Sequence, residues 1–505
     1  MFRIFGPPGT GKTTTLLNMV NKQLEAGTPP QRIGFLAFTR KAATEAKERA
    51  AERFSLDPKK DLQHFRTLHS FALGLSGIRG EQIMQPENIM ELSLSMGIHL
   101  ETGIRKTLEE DIPEQVKASD PILNLINLAR LRKVPLRKQY NISNIEHDWN
   151  TVNHVDRCFR AYKKEMGLYD FTDMLQTFID EGHKFCPHFT VCFLDEAQDL
   201  SPMQWDIAHL IEDKTQQMYC AGDDDQAIYK WAGADVDHFL GLEGGSETLQ
   251  QSYRIPSTVH AIAERIAKRI HNRYPKIYKP KDDVGLCSRI THVAELDMSE
   301  GSWLILGQAG YQLQPIATDL RSFGYLYTYR GSRSIGQKLS DAVNGWTDLQ
   351  KGREVPIDIV RIVYNYMSSG KRVARGYKKL TGIPDDELVN IDDLQLRHGL
   401  IATKDMIWSE AMDKLPAKDR AYITALLRRG EKFNGEPRIS VSTIHGSKGG
   451  EADNVVLLTD LSPAADSTMQ IAPDDIHRVF YVGVTRTRKN LYLVEPEDAT
   501  RSYDI

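Results

Sequence analysis

The chain has 505 residues, more than one hydrophobic core usually supports, so we expect three or four compact units. With 41% hydrophobic and 26% charged residues it resembles an ordinary globular protein, and no apolar run approaches the ~20 residues that span a bilayer. The net charge of -4 argues against a general polycation, and the five cysteines without a C-x-x-C pair argue against a zinc site or a disulfide framework.

The N-terminal region is predicted to alternate between strands and helices. A strand at residues 3–5 leads through a glycine-rich turn at 6–11 into an amphipathic helix. A second apolar strand at 33–38 precedes an Ala/Glu/Lys-rich helix at 42–52, for which Thr39 is a suitable N-cap. This alternation predicts a parallel sheet with crossover helices.

Further along, α/β segments are predicted to be interrupted by two helical stretches. The first is polar and covers residues 72–159, and the second is charged and covers 333–432. Further strands are predicted at 191–194, 217–221, 303–306, 439–442, 455–458 and 491–494, and further helices at 257–269 and 478–484. The sequence therefore predicts two α/β cores, each with a mainly helical insert.

The first turn matches the phosphate-binding loop G-x-x-x-x-G-K-[ST] in its required strand–turn–helix context. Its glycines allow backbone N–H groups to surround a polyphosphate, and the helix N-terminus adds partial positive charge. We expect Lys12 to reach the β- and γ-phosphates and the Thr13 hydroxyl to hold Mg²⁺. The predicted nucleotide-binding residues of this loop are Gly9, Thr10, Gly11, Lys12, Thr13 and Thr14.

Two adjacent acids follow the apolar strand at 191–194, at the end where α/β sheets bind ligands. Asp195 is expected to orient the Mg²⁺ shell, and Glu196 is expected to polarise the attacking water as a general base. Taken alone, such a pair could simply cap a helix. Beside a phosphate-binding loop, paired acids favour nucleotide hydrolysis over the transfer reaction of a kinase, which more often needs only the aspartate.

Six further segments resemble the UvrD/Rep family of superfamily 1 DNA helicases. They lie at residues 38–43, 67–71, 221–231, 251–254, 441–451 and 480–486. The Gly-Asp-Asp-Asp-Gln run that ends at Gln226, with Tyr229 and Trp231 behind it, is highly specific to this family. The order and spacing of the segments agree with the family across both cores, whereas the helical inserts match only in position.

The resemblance implies an α/β fold with two RecA-like P-loop domains, each built on a parallel sheet with crossover helices and carrying a mainly helical insert. ATP is expected to bind between these two domains. The predicted boundaries are 1–71 and 160–250 for domain 1A, 72–159 for insert 1B, 251–332 and 433–505 for domain 2A, and 333–432 for insert 2B.

The resemblance also assigns roles to single residues. Gln226 is expected to sense the γ-phosphate, and Arg254 and Arg486 resemble the arginines that reach it from domain 2A. Without the resemblance, each arginine would be interpreted as a surface ion-pair residue. Tyr253 would stack on the base, and Glu451 would help hold the nucleotide or metal. The positions where the family grips single-stranded DNA are Phe38, Thr39, His69, Tyr229, Trp231, Thr443 and His445.

Two features depart from the family pattern. Ala232 replaces an arginine that contacts phosphate in the family. The chain also begins at its first strand, without the upstream segment whose glutamine recognises adenine, so we expect ATP to be preferred over GTP only modestly. No nuclease-like domain is expected after Arg486.

Each insert carries a cationic cluster that could either contact duplex phosphates ahead of a fork or form a solvated face. The clusters are Arg130, Arg132, Lys133, Arg137 and Lys138 in the first insert, and Lys371, Arg372, Arg375, Lys378 and Lys379 in the second. The sequence alone leaves both interpretations open.

The predicted function is an ATP- and Mg²⁺-dependent DNA helicase that moves 3′→5′ on single-stranded DNA, the direction being implied by the resemblance. A translocase that displaces bound proteins with little unwinding, a P-loop phosphotransferase and an inactive DNA-binding module are alternatives. The expected partners are single-stranded DNA and single/double-strand junctions, with no membrane. We expect a cytoplasmic location in a bacterial or phage-infected cell and a role in DNA replication or repair.

Overall fold

The computed structural model of the chain describes residues 1–101 and 120–505, so part of the predicted insert 1B, residues 102–119, lies outside the described residues. Up to residue 250 the elements are β1 (Phe2–Phe5), α1 (Lys12–Glu25), β2 (Ile33–Ala37), α2 (Arg40–Phe54), β3 (Phe65–Thr67), α3 (Leu68–Leu75), α4 (Pro86–Met96), α5 (Pro121–Leu131), α6 (Leu136–Asn141), α7 (Trp149–Met166), α8 (Phe171–Asp180), β4 (Phe189–Asp195), α9 (Pro202–Glu212), β5 (Thr215–Gly222), α10 (Val236–Gly241) and β6 (Ser246–Thr248).

After residue 250 they are α11 (Ser257–Ala267), β7 (Leu286–Ile290), β8 (Trp303–Gly307), α12 (Gln314–Ser322), β9 (Tyr327–Tyr329), β10 (Ser332–Arg333), α13 (Gln337–Gln350), β11 (Val355–Pro356), α14 (Ile357–Asn365), β12 (Leu388–Val389), α15 (Ile391–Arg397), α16 (Trp408–Ala411), α17 (Ala417–Arg429), β13 (Ile439–Thr443), β14 (Ala452–Leu458), α18 (Pro463–Ile471), α19 (Pro473–Val484) and β15 (Thr487–Val494). None of the described helices is long and apolar enough to cross a membrane.

The chain forms two compact units. Unit 1 contains residues 1–291, 306–309 and 443–505, and unit 2 contains residues 292–305 and 310–442. The predicted four-domain division, with its finer boundaries, stays a prediction.

Unit 1 is built around a sheet with the strand order β3-β2-β4-β5-β1-β6, in which all neighbouring strands are parallel. The predicted parallel sheet is therefore confirmed. Both faces of the sheet are covered, because successive side chains of a strand point to opposite sides. Along β4, Val191 and Phe193 belong to one buried apolar cluster, whereas Cys192 and Leu194 belong to another.

Unit 1 also contains the strands β14, β15 and β7, which pair in that order and in parallel. The helices α11 and α19 pack against each other in the same unit. Apart from β7, these elements correspond to strands and helices predicted for the second α/β core. β7 was not predicted, because Leu286–Ile290 is a short run with exposed and charged residues.

The described part of the first helical stretch is helical, as predicted. Its helices α4, α5 and α7 share a buried apolar cluster, in which Leu92, Ile122 and Phe159 are members. In unit 2, helices α13 to α17 lie within the second predicted stretch and make up about half of it. The two-residue strands β11 and β12 pair antiparallel there and were missed, because a two-residue strand has no detectable period.

Candidate nucleotide and DNA site

The candidate site lies at one edge of the first sheet in unit 1. The phosphate-binding loop follows β1, Asp195 ends β4, and the Asp223–Gln226 turn follows β5. Because β4, β5 and β1 are parallel neighbours, their carboxyl ends meet at the same edge. This is where an open α/β sheet binds its ligand.

The phosphate-binding loop is held from the side by the segment that contains Arg254. The Ser252 hydroxyl donates to the Pro8 carbonyl at 2.8 Å, and the Tyr253 N–H donates to the Gly9 carbonyl at 2.8 Å. Gly9 has φ +72°, and a Cβ there would lie 2.8 Å from Ser252 Oγ and collide with Arg254. Only glycine fits this position. The contribution of Ser252 was not recognised in the sequence.

The loop lysine and threonine face the paired acids. Lys12 Nζ donates to the Gly6 carbonyl at 3.0 Å and lies 4.0 Å from Glu196 Oε1. The Thr13 hydroxyl donates to Asp195 Oδ2 at 3.0 Å. A hydroxyl and a carboxylate oxygen are the hard ligands that Mg²⁺ prefers, so this pair fits the predicted metal.

Lys12→Ala should weaken ATP binding strongly, because the variant lacks the cation that faces the phosphates. Equilibrium binding of a fluorescent ATP analogue measures this effect. Lys22→Ala is the matched control, since Lys22 is an exposed lysine in the last turn of the same helix. ATP affinity unchanged in Lys12→Ala would contradict the assignment.

The two acids have opposite electrostatic environments. Burial raises the pKa of Asp195, and the charge of Glu196 adds to this increase. Burial also acts to raise the pKa of Glu196, but the cations Lys12 and Lys448 outweigh it and lower this pKa. Glu196 is therefore ionised at neutral pH. Its backbone has φ 55°, a left-handed conformation that costs a residue other than glycine about 1–3 kcal/mol.

A hydrogen-bonded path leads away from Glu196. Gln198 Nε2 donates to Glu196 Oε2 at 2.6 Å and to Asp199 Oδ2 at 3.0 Å. Lys448 Nζ donates to the same Asp199 oxygen at 2.5 Å and to the Gln226 carbonyl at 2.8 Å. No role was predicted for Gln198, Asp199 or Lys448, because Asp199 and Lys448 are 249 residues apart and spacing cannot pair them.

Gln226, the predicted γ-phosphate sensor, is in direct contact with Arg486. Arg486 Nη2 donates to Gln226 Oε1 at 2.5 Å, and Arg486 Nε donates to the Val482 carbonyl at 3.0 Å. Burial, with the neighbouring Arg254, lowers the pKa of Arg486 to about 9, so it remains charged at neutral pH. Arg254 Nε donates to Glu451 Oε2 at 2.5 Å, which pairs two other predicted nucleotide-binding residues.

The predicted base-stacking residue, Tyr253, is 75% exposed. Its neighbours in sequence on both sides contact the phosphate-binding loop or lie beside it. An exposed ring next to the loop is compatible with the predicted stacking role, which stays a prediction.

The predicted DNA-binding aromatics form a ring cluster of Phe38, Tyr229, Trp231 and His445. The centroid distances are 5.7 Å for Phe38–Tyr229, 6.2 Å for Tyr229–Trp231 and 6.1 Å for Trp231–His445. Phe38 and Tyr229 are buried in the core, whereas Trp231 is 43% exposed. Trp231 therefore offers the most exposed ring of this cluster, and the buried Tyr229 ring contacts it edge to face.

The remaining predicted DNA-binding residues lie at the starts of helical turns. Thr39 caps α2 by accepting from the Ala42 N–H at 3.2 Å, which confirms the predicted N-cap. Thr443 Oγ1 accepts from the Gly446 N–H at 3.1 Å. Burial lowers the pKa of His69 to about 3 and that of His445 to about 4, so both imidazoles are neutral. Their DNA-binding roles stay predictions.

Some members of the predicted cationic clusters are engaged within the protein. Arg130 forms ion pairs with Asp170 at 2.8 Å and with Asp173 at 2.5 Å. Arg132 Nη2 donates to the Lys230 carbonyl at 2.6 Å, which places a guanidinium next to Trp231. The first cluster is thus not one uniform basic face.

The parallel sheet and the phosphate-binding loop at its edge define the RecA-like class of P-loop proteins. Residues 2–245 match the UvrD/REP helicase N-terminal domain, and residues 438–494 match the UvrD-like helicase C-terminal domain. Together these matches cover more than half of the chain. The chain belongs to the UvrD/Rep-like family of superfamily 1 DNA helicases.

Three relatives illustrate the similarity. YjcD of Bacillus subtilis is 27% identical over 66% of this chain and 44% of its own length. The ATP-dependent DNA helicase PcrA of Leuconostoc citreum is 26% identical over 54% of this chain and 38% of its own length. PcrA of Bacillus subtilis is 23% identical over 97% of this chain and 80% of its own length. The chain thus spans less than half the length of the first two relatives.

Proposed function

We propose that the chain is an ATP-dependent DNA helicase that translocates 3′→5′ along single-stranded DNA and couples hydrolysis between two RecA-like domains to strand separation. The observation that carries the proposal is the bonded path from Glu196 through Asp199 and Lys448 to Gln226. Lys448 Nζ also lies 4.9 Å from the centroid of the Tyr229 ring. A change at the nucleotide can therefore be transmitted to the ring cluster.

In this mechanism different side chains bind the phosphates, activate the water and stabilise the developing charge. The loop amides and Lys12 bind the phosphates, while ionised Glu196 orients the attacking water and accepts its proton. Arg486 and Arg254 neutralise charge that develops on the γ-phosphate. Thr13 and Asp195 would hold Mg²⁺, which supplies further charge neutralisation on the phosphate oxygens when bound.

ATP hydrolysis with and without single-stranded DNA tests the proposal. A motor should be strongly stimulated by DNA, a phosphotransferase should be indifferent to it, and an inactive module should hydrolyse no ATP. Hydrolysis that is unaffected by saturating single-stranded DNA would refute the proposal.

Assays on tailed duplexes test the direction of movement and distinguish a helicase from a translocase that mainly displaces bound proteins. A 3′→5′ helicase should unwind a duplex with a 3′ single-stranded tail and leave one with a 5′ tail intact. A translocase that mainly displaces proteins should remove streptavidin from a biotinylated single strand while unwinding little. Unwinding only from the 5′ tail would overturn the proposed direction.

Trp231→Ala should weaken single-strand binding by about 1–3 kcal/mol, because one stacking surface is lost. DNA-stimulated hydrolysis should fall while hydrolysis without DNA persists. Fluorescence anisotropy with a labelled oligonucleotide measures binding, and a phosphate-release assay measures turnover. Tyr311→Ala is a matched control, because Tyr311 is an aromatic residue that is 60% exposed but lies in unit 2. A large loss of thermal stability in Trp231→Ala would instead indicate that this ring is structural.

A further inference from the structure

A buried ion cluster lies directly before Gln226. We call it the Asp223 cluster; its members are Asp223, Asp224, Asp225 and Lys276, and the three aspartates have relative exposures of 0%. Lys276 Nζ lies 3.2 Å from Asp223 Oδ1 and 3.0 Å from Asp225 Oδ2, and it also pairs with Asp224. One ammonium thus faces three carboxylates away from water.

Additional contacts hold the segment that carries Lys276 against the Asp223–Gln226 turn that follows β5. Arg273 donates to both oxygens of Asp225, at 2.8 and 2.6 Å. The Tyr274 N–H donates to Asp224 Oδ2 at 2.8 Å. Buried carboxylates are tolerated only when cations and hydrogen bonds compensate their desolvation, so this segment and the turn depend on each other.

Asp223 connects the cluster to the predicted γ-phosphate sensor. Its Oδ1 faces Lys276, and its Oδ2 accepts from Gln226 Nε2 at 2.6 Å. The amide nitrogen donates this bond, so the NH₂ end of the Gln226 side chain faces Asp223. The carbonyl end then faces Arg486, whose Nη2 donates to it at 2.5 Å.

We propose that Lys276 is a positioning residue that sets the orientation of the Gln226 amide through Asp223. The proposal rests on the proposed function, in which Gln226 responds to the γ-phosphate. Without the ammonium, Asp223 Oδ1 would keep only the long hydrogen bond from the Asp225 N–H at 3.3 Å. The weakly held carboxylate would then let the amide sample orientations that do not present Oε1 to Arg486. Lys276 itself need not touch ATP.

The test uses the full chain and two variants that differ in their risk to folding. Lys276→Met combined with Asp224→Asn removes one positive and one negative charge, so the cluster keeps its net charge. Asp223→Asn keeps the size of the side chain but loses the acceptor-only carboxylate. Lys279→Met is the matched control, because Lys279 is an exposed lysine on the same segment.

Both test variants should retain ATP affinity, yet their kcat for DNA-stimulated hydrolysis should fall on the order of 10- to 100-fold, as expected for a misplaced catalytic group. Hydrogen exchange of the peptide that spans residues 222–229 should accelerate in the protein without nucleotide. Lys279→Met should match the wild type in both measurements.

Three results would overturn the proposal. One is a Lys276→Met/Asp224→Asn double variant that has both the wild-type melting temperature and full DNA-stimulated hydrolysis, since Lys276 would then be only a counter-ion. Another is full stimulation in Asp223→Asn, and the third is unchanged exchange of 222–229 in both variants. Hydrogen exchange can be measured without any enzymatic activity, so it tests the positioning role by itself. If wild-type hydrolysis showed no stimulation by DNA, that result would refute the proposed function and not the positioning role.

Discussion

Arg486→Ala should reduce kcat for DNA-stimulated ATP hydrolysis by about 10³- to 10⁵-fold, the range found when a transition-state arginine is lost. The guanidinium is buried and already contacts Gln226 Oε1, so its removal also deprives the sensor of its partner. ATP affinity should change far less, because Lys12 and the loop amides remain. Single-turnover phosphate release, with ATP binding measured separately, checks both expectations.

Arg501→Ala provides the control for this experiment. Arg501 pairs with Asp498 at 3.0 Å and its side chain is 47% exposed, so its loss should leave hydrolysis near the wild-type rate. If Arg486→Ala reduced kcat less than ten-fold with normal stability, Arg486 would have no direct role at the γ-phosphate.

Glu196→Gln should lower the rate of hydrolysis by about 10²- to 10⁴-fold while ATP still binds, because glutamine keeps the shape but cannot accept the proton of water. The hydrogen bond from Gln198 Nε2 can persist to the glutamine carbonyl, so the local structure should be retained. Single-turnover hydrolysis and nucleotide binding separate the two effects.

Glu243→Gln is a matched control, because Glu243 is an exposed glutamate in unit 1. Near-normal turnover in Glu196→Gln would remove this residue from the general-base role and leave Asp195 as the carboxylate to be tested next.

The sequence predicted most of what depends on local pattern. The phosphate-binding loop, the strand that ends at Asp195 and the N-cap at Thr39 follow from glycine positions, apolar runs and cap preferences within a few residues. The short strands were not predicted, since β9, β11 and β12 have three residues or fewer and are defined by partners elsewhere in the chain.

The contacts between distant segments could not be predicted from spacing. Nothing in the sequence pairs Lys276 with the aspartates before Gln226, because the two segments are about 50 residues apart and each looks like an ordinary charged run. The burial of the aromatic rings could not be predicted either. Tyr229 and Trp231 are two residues apart, yet only the fold shows that the Tyr229 ring is buried and the Trp231 ring is accessible.

The contact between Gln226 and Arg486 has a consequence for biosynthesis. These residues are 260 positions apart, so a ribosome that adds about 5–20 residues per second needs tens of seconds to make the second after the first. During that interval the phosphate-binding loop and Glu196 are already made, but the arginine that would complete the site is not. A nascent chain is therefore expected to hydrolyse ATP far more slowly than the finished chain. The aspartates before Gln226 gain their partners earlier, since Arg273 and Lys276 follow them by about 50 residues.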